Sequence, residues 1–320
     1  MVFNKKQITL TVPNKSSGER LDRFVSSSVK DYVGADLVSA LSRTHIQKLI
    51  DENLILVNEK PSKPGYRLRK NDVVFVSIPD LEETKIEPEK IKLDVVFEDK
   101  DVIVINKPQG MVTHPASGVY KGTLVNALLN HCKESLSGIN GVLRPGIVHR
   151  LDKETSGLII ACKNDKSHNE IAKQIQERKL KRHYLAIVHG KVQHDKGIIN
   201  KPIGRDKIHR HKMAVVANGR KAITHYKKVE TFGQTSLQGK YTLLECTLET
   251  GRTHQIRVHM KSIGHPILGD ATYGKKNDPV NQMMLHAYKL VFTHPKTKKE
   301  VKLEIKIPER FAQFLQDQVK

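Results

Sequence analysis

The chain has 320 residues, which suits two domains, and 38 % of them are hydrophobic, enough for a packed core. Its 55 Lys and Arg outnumber 34 Asp and Glu, a formal charge of +21, which draws a soluble protein towards a polyanion such as nucleic acid, an anionic membrane or an acidic protein. No apolar run approaches the ~18 residues of a spanning helix, and the start, "MVFNKKQITLTVPNKSS", lacks the apolar stretch of a secretory signal.

The three cysteines, Cys132, Cys162 and Cys246, are far apart and odd in number. They read as reduced thiols, two of them inside apolar strand-like stretches. The expectation is a cytoplasmic protein whose partner is nucleic acid, with no membrane.

In chain order, Leu21, Phe24, Val25 and Val29 recur at helical spacing and predict a first helix. Ser42 stands where a cap would open a second, with Ile46, Leu49 and Ile50 inward. Arg43, His45 and Lys48 are then left for its outer surface. "LILVNEK" and "DVVFVSIP" predict short strands, joined by "PSKPGYRLRKN". A charged helix face is ordinarily no more than solvated surface. The order helix, helix, strand, turn, strand resembles the αL RNA-binding domain first met in a small-subunit ribosomal protein. "SGERLDRFV", "SRTHIQKLI" and "ILVNEKPSKPGYRLRKNDVV" carry that likeness. It implies that Arg43 and Lys48 meet RNA.

Residues 79–93, "PDLEETKIEPEKIKL", are rich in charge and proline and poor in apolar periodicity. The expected division is a front domain over 1–80, a linker over 81–93 and a larger domain over 94–320. Residues 1–80 hold 13 Lys and Arg against 9 Asp and Glu, so most of the positive excess lies beyond them.

Within the larger domain "DVIVINKP" reads as a strand and "GTLVNALLNHC" as a helix, with Leu124 and Leu128 four apart. "GLIIAC" has the length and composition of a buried strand. "SHNEIAKQIQERK" is helical, with Ile171 and Ile175 inward. "HYLAIVHGKV", "YTLLECTLETG" and "KEVKLEIKIP" add strands, and "RTHQIRVHMKSIG" adds a helix. The alternation lacks a parallel-fold rhythm. It predicts an α+β domain around a large, mainly antiparallel sheet flanked by helices.

Several chemistries lack their equipment. There is no phosphate-binding G-x-x-x-x-G-K-[ST] loop and no G-x-G-x-x-G opening a helix. No C-x-x-C pair offers thiolates to zinc. His254 and His259 are five apart, which does not place them on one helical face. No tight carboxylate cluster suggests a two-metal nuclease.

What stands out is "VHRLDKETSGLIIACKN", residues 148–164. Asp152 sits there between Arg150 and Lys153, in a loop just before the buried strand. A rigid frame commonly holds catalytic side chains in such a place. The basic surroundings keep a partly desolvated carboxylate charged and attract a phosphate backbone.

"GIVHRLDKETSGLIIACKN" resembles the signature of the RluA-type pseudouridine synthases. "INKPQGMVTHPASG" before it, and "RKLKRHYLAIVHG" and "LETGRTHQIRVHMKSIGHPILGDATYG" after it, match the same family in the same order. The likeness covers roughly residues 90–320. "HPASGVYKGTLVNALL" and "PIGRDKIHRHKMAVVANGRKAITHYK" are most similar to its RluD type, which modifies bacterial large-subunit ribosomal RNA.

The resemblance implies isomerisation of uridine in RNA by base flipping, without a cofactor. Asp152 matches the family's essential aspartate. Arg150 matches the arginine that enters the RNA where the base leaves. Tyr184 matches the aromatic that stacks on the flipped uracil, and Arg257 the arginine that pairs with the aspartate. Ile256 is placed to wall the pocket. Lys181 and Arg182, in the basic run before Tyr184, and Arg252 are expected to follow the RNA backbone. His149, His254 and His259 are expected to be structural hydrogen-bonders. The expected partner is ribosomal RNA of the large subunit or of its assembly intermediate, met by a monomer. Transfer RNA or another ribosomal site would suit the same chemistry. A non-catalytic ribosome-assembly factor would use the same basic surfaces without it.

Overall fold

In the computed structural model the chain separates into two units, Met1–Thr84 and Lys85–Lys320, each with its own buried core. The structure describes residues 6–29, 43–78, 86–115, 118–133, 135–141, 144–229 and 240–317. Ser42, the expected helix cap, lies outside them, as do the side chains of Arg43 and His45.

The first unit holds strand β1 (Lys6–Thr11), helices α1 (Leu21–Ser28) and α2 (Arg43–Asp51), and strands β2 (Ile55–Val57), β3 (Lys60–Pro61) and β4 (Val73–Ile78). Leu21, Phe24 and Val25 of α1 meet Ile46, Leu49 and Ile50 of α2 in one core, as their spacing predicts. Asp22, wholly buried on α1, accepts a hydrogen bond from Gln47 of α2 at 2.8 Å and ties the helices together. The sheet order is β1-β4-β2-β3, antiparallel throughout. The sequence reading missed β1. Its signal was the alternation of Ile8, Leu10 and Val12, three buried residues on one face.

Charge and proline mark 81–93 as a linker, yet its described part is fastened to the second unit. Ile86 is buried in that unit's main core. The Asn126 side chain donates to the Glu87 carbonyl at 2.8 Å, and the Glu89 amide donates to the Asn126 carbonyl at 3.0 Å. One buried isoleucine and one well-placed amide outweigh the polar composition.

Asn126 belongs to α3 (Leu124–Cys132), which Thr123 opens with a reciprocal cap. Around it the second unit builds β5 (Val95–Glu98), β6 (Val102–Lys107), β7 (Ser156–Cys162), α4 (Asp165–Gln176), β8 (Lys181–His189) and β9 (Lys196–Asn200). There follow β10 (Ile203–Arg205), β11 (Met213–Val215), β12 (Ile223–Lys228), β13 (Tyr241–Leu248) and α5 (Gln255–Ser262). The last elements are β14 (Leu285–Thr293), β15 (Glu300–Glu304) and α6 (Glu309–Asp317). Nine strands form one sheet in the order β5-β6-β7-β14-β8-β13-β12-β9, with β15 beside β14. Among the described residues only β7 and β14 pair in parallel within this sheet; the other pairs are antiparallel. The expected mainly antiparallel sheet is what forms. Among the described residues no helix is long and apolar enough to cross a membrane.

All seven residues of β7 are buried. Ile159 and Ala161 enter the core that holds Leu124, Val125 and Leu128 of α3. Leu158, Ile160 and Cys162 enter another, with Ile171 of α4. Helices therefore cover both faces of the strand, which explains its unbroken apolar run. The three cysteines are free and buried.

The close approach of β7 and β14 depends on Gly157. Its φ is +114°, and a methyl group there would overlap the backbone of Ala287. Gly157→Ala is expected to destabilise the second unit by on the order of 3 kcal/mol through strain and overpacking. Calorimetry should register a melting temperature lower by roughly 10 °C.

Candidate active site

Three elements meet at one end of the sheet. Lys107 closes β6 opposite Gly157, where β7 begins. The loop 148–155 enters β7 at the same place. The side chain of Lys107 is wholly buried. Its Nζ donates to the carbonyls of Pro108 and Met111, each at 2.8 Å, and of Lys153 at 3.3 Å. Burial pushes its pKa down to about 8, against the pull of Asp152 and Glu154. Thr113 Oγ1 donates to the Leu151 carbonyl at 2.7 Å, and the Gly110 amide donates to the Lys153 carbonyl at 2.9 Å. The main chain on both sides of Asp152 is thus anchored.

The side chain of Asp152 meets Arg257 of α5. Arg257 Nη1 donates to Asp152 Oδ2 at 3.1 Å. Its Nε and Nη2 fork onto Asp270, at 2.7 and 2.8 Å. Asp270 also accepts from the amides of Thr272 and Tyr273, at 2.9 and 3.1 Å. Burial acts to raise the Asp270 carboxyl, but the Arg257 fork, its charge and these amides hold it below the usual carboxylate range. Burial likewise opposes the charge on Arg257, and its two carboxylates more than restore it.

Tyr273 lies under that guanidinium, with the Arg257 Cζ 5.0 Å from its ring centre. Its hydroxyl accepts from the Met213 amide at 2.9 Å and meets His254 Nδ1 at 2.8 Å. Burial lowers the pKa of His254, although Asp152 pulls the other way. Assigning the hydroxyl proton to His254 Nδ1 leaves the proton of the neutral ring on Nε2, 4.0 Å from Asp152 Oδ1.

Asp152, His254 and Arg257 open on a cavity of about 420 Å³, within the range of small-ligand sites. Asp152, Tyr184, Arg257, Arg150, Arg182 and Arg252 all line it, so the fold gathers six of the residues singled out in the sequence. Ile256 is in its wall as well. Tyr184 is buried on β8, paired with Cys246 of β13 and Ala287 of β14. Burial raises its hydroxyl pKa, with Arg182 acting the other way. Arg150 is exposed at the rim. Arg252 is half-buried, its Nε donating to the Lys221 carbonyl at 3.1 Å.

Lys181 is exposed on β8 and does not line the cavity. Lys48 is exposed on α2 of the first unit, 3.5 Å from Glu52. His149 accepts a hydrogen bond from the Ile160 amide through Nε2, and His259 bonds Thr224 and the Lys201 carbonyl. Both make hydrogen bonds within the fold, and His149 also lines the cavity. Sequence reasoning assigned no role to Asp270, Tyr273 or Lys107. Asp270 and Tyr273 stand 13 and 16 residues after Arg257, and no periodic spacing links them. Their one signal was an isolated acid and aromatic in "ILGDATYG".

Asp270→Asn is expected to lower stability by about 3 kcal/mol, because the buried Arg257 loses its main counter-charge. A drop in the urea midpoint would register it. A second expectation concerns pH. Burial, helped by Arg182, pushes the buried His149 down to about 3. An unfolded histidine takes up its proton near 6.5. Between those values the unfolded chain binds the extra proton, so stability falls as pH drops from about 6.5 to about 3. His149→Gln should flatten that slope in urea titrations followed by circular dichroism.

Comparison with known proteins gives the site its setting. The model of the RNA pseudouridylate synthase family matches residues 101–262, and that of the S4 domain matches residues 31–74. An uncharacterized RNA pseudouridine synthase of Bacillus subtilis, YlyB, is 44 % identical over 97 % of this chain and 98 % of its own length. The ribosomal large subunit pseudouridine synthase D of Zymomonas mobilis is 41 % identical over 95 % of this chain and 94 % of its own. The structure named human RNA pseudouridylate synthase domain containing 1 shares the fold, with a TM-score of 0.55 at 23 % identity over 72 % of this chain and 96 % of that one. With the family's model spanning half the chain and such relatives matched nearly end to end, the chain belongs to the RNA pseudouridylate synthases of the RluA and RluD type.

Proposed function

We propose that this RNA pseudouridine synthase acts on large-subunit ribosomal RNA, and that Asp152 carries its chemistry. The observation that bears most weight is the Asp152 carboxylate, held by Arg257 inside a cavity that Tyr184 also lines. The name of the Zymomonas relative, matched over nearly all of both chains, supports the ribosomal target.

The reaction is an isomerisation. The bond from N1 of uracil to C1′ breaks, the ring turns, C5 bonds to C1′, the C5 proton leaves, and N1 takes up a proton. Electrons balance within the nucleotide, so no oxidant or reductant is needed. A stacked uridine hides C5, so the base is extruded first, at a cost of a few kcal/mol. Arg150, exposed at the rim, fills the gap the base leaves and offsets part of that cost. Tyr184 gives the ring an apolar wall against which to turn. The carboxylate serves as nucleophile on the sugar or ring, or as the base that takes a sugar proton. In each case the Arg257 contact aims it. The front unit, an S4 domain, supplies further grip on RNA through the exposed face of α2, where Lys48 stands.

Asp152→Asn keeps the shape and loses the charge. Pseudouridine formation should fall about a thousandfold or more, the scale of removing a covalent catalyst. RNA affinity should hold or rise slightly, since one negative charge leaves a site that faces phosphate. Tritium release from C5-labelled uridine RNA, run beside filter binding, measures both. Near-normal release would leave Asp152 a structural ion-pair partner. Carbodiimide mapping of ribosomal RNA from cells lacking the protein tests the target, and an unchanged large-subunit pattern would exclude it.

A further inference from the structure

Arg182 differs from the other arginines of the cavity. It lies on β8 two residues before Tyr184, and alternate residues of a strand share a face. Its neighbours are engaged: Arg178 pairs with Glu249 at 2.6 Å, Arg252 bonds the Lys221 carbonyl, and Arg257 holds Asp152 and Asp270. Arg150 is exposed to solvent. Arg182 is only 6 % exposed, its Nε has no hydrogen-bond partner, and no carboxylate of the described residues pairs with it. A buried cation without a counter-charge is costly to the fold. Such a group makes sense where a ligand brings the missing anion.

Gly251 adds a second observation. It also lines the cavity, and a Cβ on it would stand 3.1 Å from Arg182 Nη1. Its backbone is not in the left-handed region, so local geometry does not demand glycine. What the missing side chain provides is an open approach to the guanidinium. A guanidinium fork suits an oxyanion with two oxygens to offer, and the polyanion this family acts on supplies one at every nucleotide. Two residues of strand span about 7 Å, so a base against Tyr184 leaves a neighbouring phosphate within reach of Arg182.

We propose that Arg182, left open by Gly251, is a phosphate subsite inside the catalytic cavity that takes a phosphodiester flanking the target uridine. The proposal rests on the functional reading above, in that it takes RNA to enter by this cavity. The phosphate is not a reacting group. Its contact is made alike in ground and transition states, so its loss falls on KM more than on kcat.

The test uses the full chain and RNA oligonucleotides in which each phosphodiester flanking the uridine is replaced in turn by a neutral methylphosphonate. One replacement should weaken binding to the unaltered protein roughly thirtyfold, the scale of one charge-assisted contact, and raise KM similarly. Arg182→Met should weaken binding of the native RNA by a similar factor and be insensitive to that replacement. Arg182→Lys should recover part of the loss, since it restores charge without the fork. Gly251→Ala should raise KM several-fold by covering the guanidinium. Without RNA, Arg182→Met should melt at or above the parent's temperature, because an unpaired buried charge has gone.

Two results would overturn the subsite. One is a methylphosphonate penalty equal in parent and Arg182→Met. The other is an Arg182→Met protein that melts lower and loses kcat while KM stays unchanged, the mark of a purely structural residue. If the parent makes no pseudouridine in any of these RNAs, the functional reading fails, and the binding arm still decides the role of Arg182.

Discussion

One guanidinium shared between two carboxylates organises this site. Arg257 gives two of its donors to Asp270, which is buried and fixed, and a third to Asp152, which faces the cavity. The fork on Asp270 sets the plane of the guanidinium, and the remaining donor then sets where the Asp152 carboxylate stands. Tyr273 completes the clamp, because its ring supports Arg257 while its hydroxyl orients His254. Positioning of this kind is what a reaction dependent on attack geometry requires.

The remainder of the fold keeps that clamp and the Asp152 loop in register. Asp152 is carried by the loop that enters β7, Tyr184 by β8, and Arg257 by α5. The central strands β7, β14 and β8 are adjacent in the sheet. Helices cover β7 on both faces, and Gly157 brings β7 and β14 closer than any other residue would allow. Lys107 then ties the segment after β6 to the Asp152 loop, through the carbonyls of Pro108 and Met111 on one side and of Lys153 on the other. A surface lysine would lose most of that in solvent, whereas burial keeps the contacts strong and lowers its pKa.

Much of this was legible where one physical rule dominates locally. α1, α2 and α3 announce themselves through apolar residues three and four apart, and β7 through a short apolar run. β12 and β14 were not legible. "ITHYKK" and "LHAYKLVFT" mix lysines and histidines among their apolar residues, and only pairing with distant strands makes them strands. Asp152, Tyr184 and Arg257 were singled out because they sit in long motifs, and they line one cavity. Asp270 and Tyr273 sit in such a motif too, but their roles arise from contacts across a turn that no spacing rule encodes. In the basic run 177–183 every cation looked alike in composition. The period of a strand separates them, turning Lys181 to solvent and Arg182 to the interior.

That separation bears on how a chain of charge +21 uses its positive residues. Exposed lysines such as Lys48 and Lys181 attract any polyanion, and salt screens what they do. They raise affinity without choosing where along an RNA the protein stops. Arg257 works in the opposite way, because it is buried, its partners are fixed and its direction is set. A cation of the first kind attracts polyanion, and one of the second kind fixes the position of a carboxylate. Arg182 combines them, since it is buried like Arg257 and, among the described residues, has no carboxylate committed to it. Discrimination between a correctly seated nucleotide and a merely adsorbed one needs such a group. Its counter-charge arrives only when the RNA backbone follows the base into the cavity, so the desolvation penalty of the empty site is relieved by correct seating alone.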